Sequence, residues 1–305
     1  LRGYVNGVLR SVVKGIDEVE YPSDPIKRLS VRYSCPEWII RLWKETYDLS
    51  LIETMLKDFQ TEKPTTIRRC RSRITTEQLK KRLEEEHVLV ENHPYLKDAL
   101  LISKYDYLES LETFREGLFV VQDISSMLVG ELAHVQAGAQ VIDLCAAPGG
   151  KALDVAERIL MEGQAGCSGH VEARDLTEYK VSLIEENIER MGLCNVTAVC
   201  QDASVYDEKS AGKADIVIAD LPCSGLGVLG KKTDLKYKAS PEGIVSLVKL
   251  QRKILSCAAS YVKPGGELLY STCTVNPKEN IENVHWFLKE FPEFYADDIR
   301  EDLCL

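Results

Sequence analysis

Two cysteines in this sequence each follow a run of apolar residues that is typical of a β-strand. Cys223 lies in the segment DLPCSGLG, residues 220–227, and Cys273 lies in STCT, residues 271–274. A thiolate is a strong nucleophile, so a cysteine at the end of a strand is a candidate for covalent catalysis. One such cysteine is usually inert. Two of them, one preceded by Asp-Leu-Pro, are difficult to explain by core packing and predict thiol chemistry.

A glycine-rich turn, DLCAAPGGK at residues 143–151, follows an earlier apolar strand. Its small side chains and two glycines let a ligand approach the backbone just before a helix begins. The turn has neither the G-x-G-x-x-G spacing of dinucleotide-binding folds nor the G-x-x-x-x-G-K-[ST] phosphate loop. By itself it is equally compatible with a structural turn. Its candidate ligand-binding residues are Cys145, Ala146, Ala147, Pro148, Gly149, Gly150 and Lys151.

Two further strand-like segments end in acidic residues. Asp175 is placed where a carboxylate can accept hydrogen bonds from both hydroxyls of a ribose, and Asp202 is placed to meet an adenine amino group. Either acid alone could equally cap the helix that follows it. Together with the glycine-rich turn, the two acids predict a cofactor that contains adenosine.

The elements that must position these residues alternate along the C-terminal half of the chain. Segments with helical periodicity separate strand-like segments at residues 140–145, 169–175, 195–202, 214–220 and 265–272. Such alternation forms parallel βαβ units with right-handed crossovers. We therefore predict a doubly wound, Rossmann-like α/β fold with a mainly parallel sheet. Its ligand would lie beyond the carboxyl ends of the strands, where the turn, both acids and both cysteines would meet.

The N-terminal part of the chain has a different pattern. Residues 1–60 have helical periodicity, residues 87–121 contain short strand-like segments, and residues 124–137 are predicted to form a helix. The predicted domains are the tail of a helical domain at 1–30, a small α/β module at 31–121 and the larger domain at 122–305.

The most basic stretch of the chain covers residues 63–82 and runs into a predicted helix at 75–85. A solvated charged face is the usual explanation of such a run. Here the arginines lie in an extended segment, which favours contacts with phosphate groups of RNA. The predicted contacts are made by Arg68, Arg69, Arg71 and Arg73.

Composition limits the classes of protein to which this chain can belong. The 305 residues carry a formal net charge of −10, so nucleic-acid binding must use a local positive surface. Ten cysteines, with no C-x-x-C pair and no histidines at zinc-ligand spacing, argue against a metal site and a disulfide framework. No apolar run approaches the ~20 residues of a membrane span. We expect a monomer of the reducing cytoplasm, without metal or membrane contacts.

Longer motifs connect these features to a known family. The sequence resembles the bacterial 16S ribosomal RNA cytosine-5 methyltransferases of the Fmu/RsmB type, within the wider NOL1/NOP2/Sun group. The specific part is the pairing of Pro-Cys in DLPCSGLG with a downstream Thr-Cys in STCT, because cytosine-5 DNA methyltransferases use only the Pro-Cys cysteine. The resemblance extends from residue 33 to residue 290 through the motifs YSCPEW, GLFVVQDISS, DLCAAPGGK, RDLTEYK, DLPCSGLG, KKTDLKY and YSTCTVNPKEN.

The resemblance implies a class I S-adenosylmethionine-dependent methyltransferase and a role for each candidate. Cys273 would add to carbon 6 of cytosine, so that the resulting enamine can attack the sulfonium methyl group. Asp220 would hydrogen-bond the base and stabilise the charge created by the addition. Lys151 would contact base or cofactor, and Cys223 would assist loss of the carbon-5 proton and release of the product. S-adenosylmethionine would bind at residues 145–151, Asp175, Asp202 and Asp220.

Some positions depart from the family pattern. Lys151 is followed by Ala152 where the family commonly has Lys-Thr, and Arg68-Arg69-Cys70 stands where the family often has Arg-x-Asn. Residues 1–14 resemble the last helix of the NusB-like domain that precedes the catalytic unit in this subfamily. The family also continues beyond residue 305 into antiparallel strands. The implied substrate is 16S ribosomal RNA. A tRNA or 23S ribosomal RNA cytosine-5 methyltransferase, or a non-catalytic RNA-binding assembly factor, stays open.

Overall fold

The computed structural model describes residues 2–16, 19–163 and 169–299. Contacts divide the chain into two compact units, one of residues 1–61 with 226–240 and one of residues 62–225 with 241–305. The domain boundaries predicted after residues 30 and 121 stay a prediction. Among the described residues, no helix combines the length and apolarity that crossing a membrane requires.

Helices and strands are numbered here in chain order. The helices are α1 Arg2–Gly15, α2 Pro25–Tyr33, α3 Glu37–Lys44, α4 Leu49–Asp58, α5 Thr76–Glu85, α6 Glu112–Arg115, α7 Ile124–Leu132, α8 Gly150–Glu162, α9 Glu178–Met191, α10 Leu235–Lys238, α11 Pro241–Tyr261 and α12 Ile281–Glu290. The strands are β1 Thr65–Arg69, β2 Leu89–Asn92, β3 Ala99–Ser103, β4 Phe119–Val121, β5 Gln140–Asp143, β6 His170–Asp175, β7 Val196–Cys200, β8 Ala214–Asp220 and β9 Val262–Ser271.

The first unit is helical in its described residues. The Asp24 carboxylate accepts a hydrogen bond from the Lys27 amide and so begins α2, and Asp48 caps α4 in the same way. Helices α3 and α4 bury apolar side chains at helical spacing, among them Trp43 and Ile52, which are fully buried. None of the residues of α1 is buried.

The second unit contains two sheets. Strands β1 to β4 form an antiparallel sheet in the order β2-β3-β1-β4, and strands β5 to β9 form a sheet in the order β7-β6-β5-β8-β9. Every neighbouring pair in the second sheet is parallel. The predicted Rossmann-like α/β fold is therefore confirmed.

Strand order brings the chemistry-bearing loops together. From β5 the chain proceeds outward through β6 to β7, and then crosses to the other side of β5 to form β8 and β9. The carboxyl ends at this reversal of direction form the crevice in which doubly wound sheets bind ligands. The turn after β5 consequently lies beside the end of β8, and the last residue of β8, Asp220, is paired with Ser271 of β9.

Helices on both faces explain why residues 216–219 of β8 form a continuous apolar run. Ile216 and Ile218 pack into the cluster that contains α8, whereas Val217 and Ala219 pack into the cluster that contains α11. All four side chains are at most 2% exposed. A central parallel strand has no solvent face, so both of its alternating sets of side chains are apolar.

One predicted element is shorter than expected. The helix predicted at 124–137 ends at Leu132, because Ala133 adopts an extended backbone conformation with ψ of 114°. Gly138, with φ of +83°, then turns the chain into β5. Apolar spacing continues through this segment, but the helical hydrogen bonds do not.

Candidate active site

The turn after β5 is held by backbone hydrogen bonds. The Ala146 amide donates to the Arg174 carbonyl at 2.8 Å, and the Gly149 amide donates to the Ala146 carbonyl at 2.6 Å. Gly149 has φ of +111°, a conformation that favours glycine. Helix α8 then begins at Gly150 with no side-chain cap on its first amides. Those amides and the small Ala146 and Ala147 leave room for a polar, partly anionic ligand.

Asp175 connects the turn to the second strand. One of its carboxylate oxygens accepts from the Ala147 amide at 3.0 Å, and the other accepts from the Leu176 amide at 2.7 Å and Lys180 Nζ at 2.8 Å. A carboxylate has about four acceptor positions, so a ribose hydroxyl would share the site or displace Lys180. The side chain of Lys180 is half exposed and can move.

Asp202 lies on the surface after β7. Its carboxylate accepts a hydrogen bond from the Ser204 amide at 2.8 Å, and this bond lowers the pKa of the group. The helix-capping alternative is wrong for both acids, since Thr177 caps α9 and Asp207 caps the short 3-10 turn at 208–210. Both carboxylates therefore stay available for another role at this edge.

Lys151 and Asp220 form an ion pair across the crevice. Lys151 Nζ donates to Asp220 Oδ2 at 2.6 Å, and Ser271 Oγ donates to Asp220 Oδ1 at 2.7 Å. The three residues come from the start of α8 and the ends of β8 and β9. Both oxygens of Asp220 are thereby oriented, which suits a group that must hold a reacting base in a fixed position. Motif matching did not identify Ser271, although it begins the STCT segment.

The two cysteines predicted to act together lie in contact. Cys223 Sγ is 3.3 Å from Cys273 Sγ, with Cys273 exposed and Cys223 partly buried. The hydrogen bond to the Cys273 sulfur and burial raise the pKa of Cys223 far above that of a free thiol. Two sulfurs at this distance cannot both be thiolates at low cost. At least one of the two cysteines therefore stays protonated, with its S–H directed to the other sulfur.

Asp143, at the end of β5, is a buried acid that sequence reasoning did not assign. Its side chain is 1% exposed, and Oδ2 has no hydrogen-bond partner in the part of the chain that the structure describes. Burial raises the pKa of Asp143 to about 7, against the opposing effect of Lys151. Burial likewise raises the pKa of the neighbouring Cys145 thiol to about 12, so Cys145 stays protonated. Neither group is a plausible resting-state nucleophile.

The phosphate-binding role predicted for Arg68 and Arg71 is wrong. The Arg68 side chain is fully buried and donates to Glu157 Oε2 at 2.5 Å. The Arg71 side chain is 5% exposed and pairs with Asp98 and Asp154. Both guanidinium groups are therefore neutralised by carboxylates inside the fold. The neighbouring sequence indicated an exposed basic surface, because the carboxylates that pair with the two arginines are distant along the chain and cannot be recognised from local sequence.

The other two arginines predicted to contact phosphate groups are more accessible. Arg69 pairs with Asp98 at 2.6 Å with a side chain 17% exposed. Arg73 is exposed and donates to the backbone carbonyls of Glu116 and Arg190. Contact of Arg69 and Arg73 with RNA stays a prediction. Among the described residues, no group of three or more His, Cys, Asp or Glu side chains could hold a metal ion.

The chain is similar in sequence and in fold to known methyltransferases. The chain is 34% identical over 299 residues to "Probable ribosomal RNA small subunit methyltransferase B" of Bacillus subtilis (strain 168), a match that covers 97% of this chain and 65% of the relative. It superimposes on the crystal structure of PH0851 with a TM-score of 0.82 at 28% identity, covering 96% of this chain and 65% of that one.

A second solved structure supports the fold alone. This methyltransferase homolog protein from Pyrococcus horikoshii superimposes with a TM-score of 0.75 at 24% identity, covering 88% of this chain and 84% of that one. Two family models also match the chain. The model of the ferredoxin-like domain of RsmF/B-like methyltransferases matches residues 35–107. The model described as "16S rRNA methyltransferase RsmB/F" matches residues 131–301, more than half of the chain. The chain therefore belongs to the RsmB/F family of 16S ribosomal RNA methyltransferases.

Proposed function

We propose that this chain transfers a methyl group from S-adenosylmethionine to carbon 5 of a cytosine in 16S ribosomal RNA, through a covalent adduct with Cys273. The observation that carries the proposal is the contact of the two cysteine sulfurs, 3.3 Å apart, at the same sheet edge as the Lys151–Asp220 pair. The choice of 16S RNA rests on the names of the relatives, of which this chain spans about 65%. A ribosomal substrate implies a cytoplasmic location.

The residues present fit S-adenosylmethionine. Asp175 and Asp202 would accept hydrogen bonds from the ribose and the adenine, and the uncapped start of α8 would bind the methionine carboxylate. Bound there, S-adenosylmethionine supplies an electrophilic methyl group. The chain's own side chains must then make carbon 5 of cytosine nucleophilic, since the free base is not reactive enough at that carbon.

Cys273 and Asp220 share the activation of the base. The Cys273 thiolate adds to carbon 6, and the proton that its thiol gave up reaches the ring nitrogen through Asp220, so that a neutral enamine with a nucleophilic carbon 5 forms. Asp220 hydrogen-bonds the ring, and it is held for this by Lys151 Nζ at 2.6 Å and Ser271 Oγ at 2.7 Å. Preorganised groups of this kind stabilise charge as it develops, without further rearrangement.

Cys223 becomes a base at the step that needs one. Its pKa is raised first by the hydrogen bond to the Cys273 sulfur and then by burial. Once Cys273 is bonded to carbon 6, its sulfur carries no negative charge, so its repulsion of a Cys223 thiolate disappears. The pKa of Cys223 then falls and its thiol proton passes to solvent. The Cys223 thiolate accepts the carbon-5 proton, the electrons of that C–H bond form the double bond between carbons 5 and 6, and Cys273 leaves as a thiolate.

A transfer assay tests the proposal directly. Three parallel reactions each contain the 305-residue chain, S-adenosylmethionine with a tritiated methyl group and one RNA sample. The samples are undermethylated 16S ribosomal RNA, 23S ribosomal RNA and total tRNA, and the nucleosides of each are analysed. Label in 5-methylcytidine from 16S RNA is the expected result. Label only in 23S RNA or tRNA supports the proposed methyl transfer but excludes 16S RNA as the substrate. Label in no RNA, with cofactor binding intact, favours a non-catalytic assembly factor.

A further inference from the structure

A fully buried carboxylate lies beside the two cysteines. Glu279 is 0% exposed and ends the short 3-10 turn at 277–279 that follows β9. Its Oε1 accepts from the Ser224 amide at 2.8 Å and from Gln251 Nε2 at 3.1 Å. Its Oε2 accepts from Ser224 Oγ at 2.5 Å and from Asn276 Nδ2 at 2.9 Å. A buried charge is retained only when its hydrogen-bonding capacity is filled, as it is here.

These hydrogen bonds fix the backbone on both sides of Cys223. Ser224, the next residue, donates to Glu279 through its amide and its hydroxyl. Gln251 of α11, which also contacts Glu279, donates to the Pro222 carbonyl at 2.9 Å. Cys223 is therefore held at the centre of a segment whose two neighbours are both tied to the Glu279–Gln251 pair.

The same network reaches the residue that follows Cys273. Ser224 Oγ lies 2.9 Å from Thr274 Oγ1, and both hydroxyls are buried. The loops after β8 and β9 are thus joined directly behind the two sulfurs. Both cysteines lie beyond the last paired residues of β8 and β9, Asp220 and Ser271, so this connection adds to the pairing of the strands in holding the two sulfurs at contact distance.

We propose that Glu279 is a positioning residue that holds the Cys223 thiol against Cys273, and that it thereby determines how fast Cys223 completes the reaction. The effect on the reaction rate rests on the proposed function, whereas the position of the Cys223 thiol does not. A carboxylate suits this position because it presents acceptors to four donors. Glutamine would turn an N–H₂ group toward two of them. The Ser224 hydroxyl can rotate to accept, but in either orientation of the glutamine at least one amide N–H then faces another donor.

The test compares Glu279→Gln with a matched control, Glu157→Gln. Glu157 is also 0% exposed, and it also accepts from four donors, namely Arg68 Nη1, Cys70 Sγ, Ser72 N and Ser72 Oγ. These partners lie in residues 68–72, away from the cysteine loops along the chain. Both substitutions keep side-chain size and remove one buried charge. Glu157→Gln also leaves the buried Arg68 without its nearest carboxylate, so the control is expected to lose at least as much stability as Glu279→Gln. Thermal melts first establish the temperature at which both variants stay folded.

The first readout needs no RNA and no cofactor. Dibromobimane, a reagent that alkylates two thiols, is added to each protein, and the fraction of Cys223–Cys273 bridge is measured against single alkylation by peptide mass spectrometry. In Glu279→Gln the bridged fraction should fall about tenfold, the population change that follows loss of one charge-assisted hydrogen bond. Glu157→Gln should bridge like the unsubstituted chain. Unchanged bridging in Glu279→Gln, or equal losses in both variants, overturns the proposal.

The second readout follows the reaction. With 16S RNA and S-adenosylmethionine, Glu279→Gln should accumulate a covalent protein–RNA adduct on a denaturing gel, because Cys223 is misplaced for release, and Glu157→Gln should not. An adduct-to-product ratio that stays unchanged in Glu279→Gln counts against control of release by Glu279. If the unsubstituted chain methylates no RNA, the proposed function fails, and the bridging result still decides the positioning role. Should Glu279→Gln not fold, Ser224→Ala tests the same connection from its other end with the same two readouts.

Discussion

Replacement of Asp220 by asparagine should lower kcat for methyl transfer sharply. The amide can keep its oxygen toward Lys151 Nζ and turn its nitrogen toward Ser271 Oγ, whose hydroxyl can rotate to accept. The positions of the two partners, 2.6 and 2.7 Å away in the native chain, are then largely kept. The main loss is a carboxyl group that can deliver a proton to the ring nitrogen, where thiolate addition places negative charge. Loss of one preorganised group that stabilises developing charge costs about 3–4 kcal/mol, equivalent to roughly 10²–10³ in kcat.

The assay is single-turnover transfer of tritiated methyl to 16S RNA, with 5-methylcytidine quantified over time. Asp202→Asn is the control, since Asp202 is exposed and is expected to contact only the cofactor. It should raise the KM for S-adenosylmethionine and leave kcat nearly unchanged. If Asp220→Asn kept kcat within about threefold of the native value, less than 1 kcal/mol of barrier, a role for Asp220 in the transition state would be refuted.

Cys273→Ala should abolish transfer and leave S-adenosylmethionine binding intact by calorimetry; measurable turnover would remove Cys273 from the mechanism. Cys223→Ala should trap a covalent protein–RNA adduct that survives denaturing electrophoresis, and clean product release by this variant would exclude Cys223 from the release step. Burial raises the pKa of Asp143 to about 7, so the folded state keeps its proton where the unfolded state has lost it. The free energy of unfolding therefore decreases as the pH rises from ~4 to ~7, by at most about 4 kcal/mol. Asp143→Asn should accordingly raise Tm more at pH 8 than at pH 5, and equal changes in Tm at the two pH values would contradict the shift. Arg68→Met should destabilise the fold by about 3–5 kcal/mol in urea unfolding, because it leaves the buried Glu157 without its cation. The salt dependence of RNA binding should not change, and a shallower salt slope would restore Arg68 as a phosphate contact.

Patterns along the chain were sufficient to predict the sheet and its ligand-binding edge. The strand at 214–220 is predicted directly from its apolar run at 216–219, because the part of a strand that is buried on both faces is apolar at successive positions. The same reasoning placed Cys223 and Cys273 beyond strand ends. The helix predicted to begin at Ile124 was too long, because apolar spacing does not show where the backbone hydrogen bonds of a helix end.

Tertiary structure alone decided which of these residues are in direct contact. Pairing of β8 with β9 brings the loops of the two cysteines together, and strand order is not encoded in local spacing. The arginines of the basic stretch looked like a surface for RNA, yet Asp154 and Glu157, more than 80 residues away on α8, bury and neutralise Arg68 and Arg71. Local sequence determines the types of side chain and the elements that carry them. Burial, pKa and ion pairing depend on neighbours that only the folded chain supplies, because electrostatic and hydrogen-bond energies depend on distance in space and on exclusion of water.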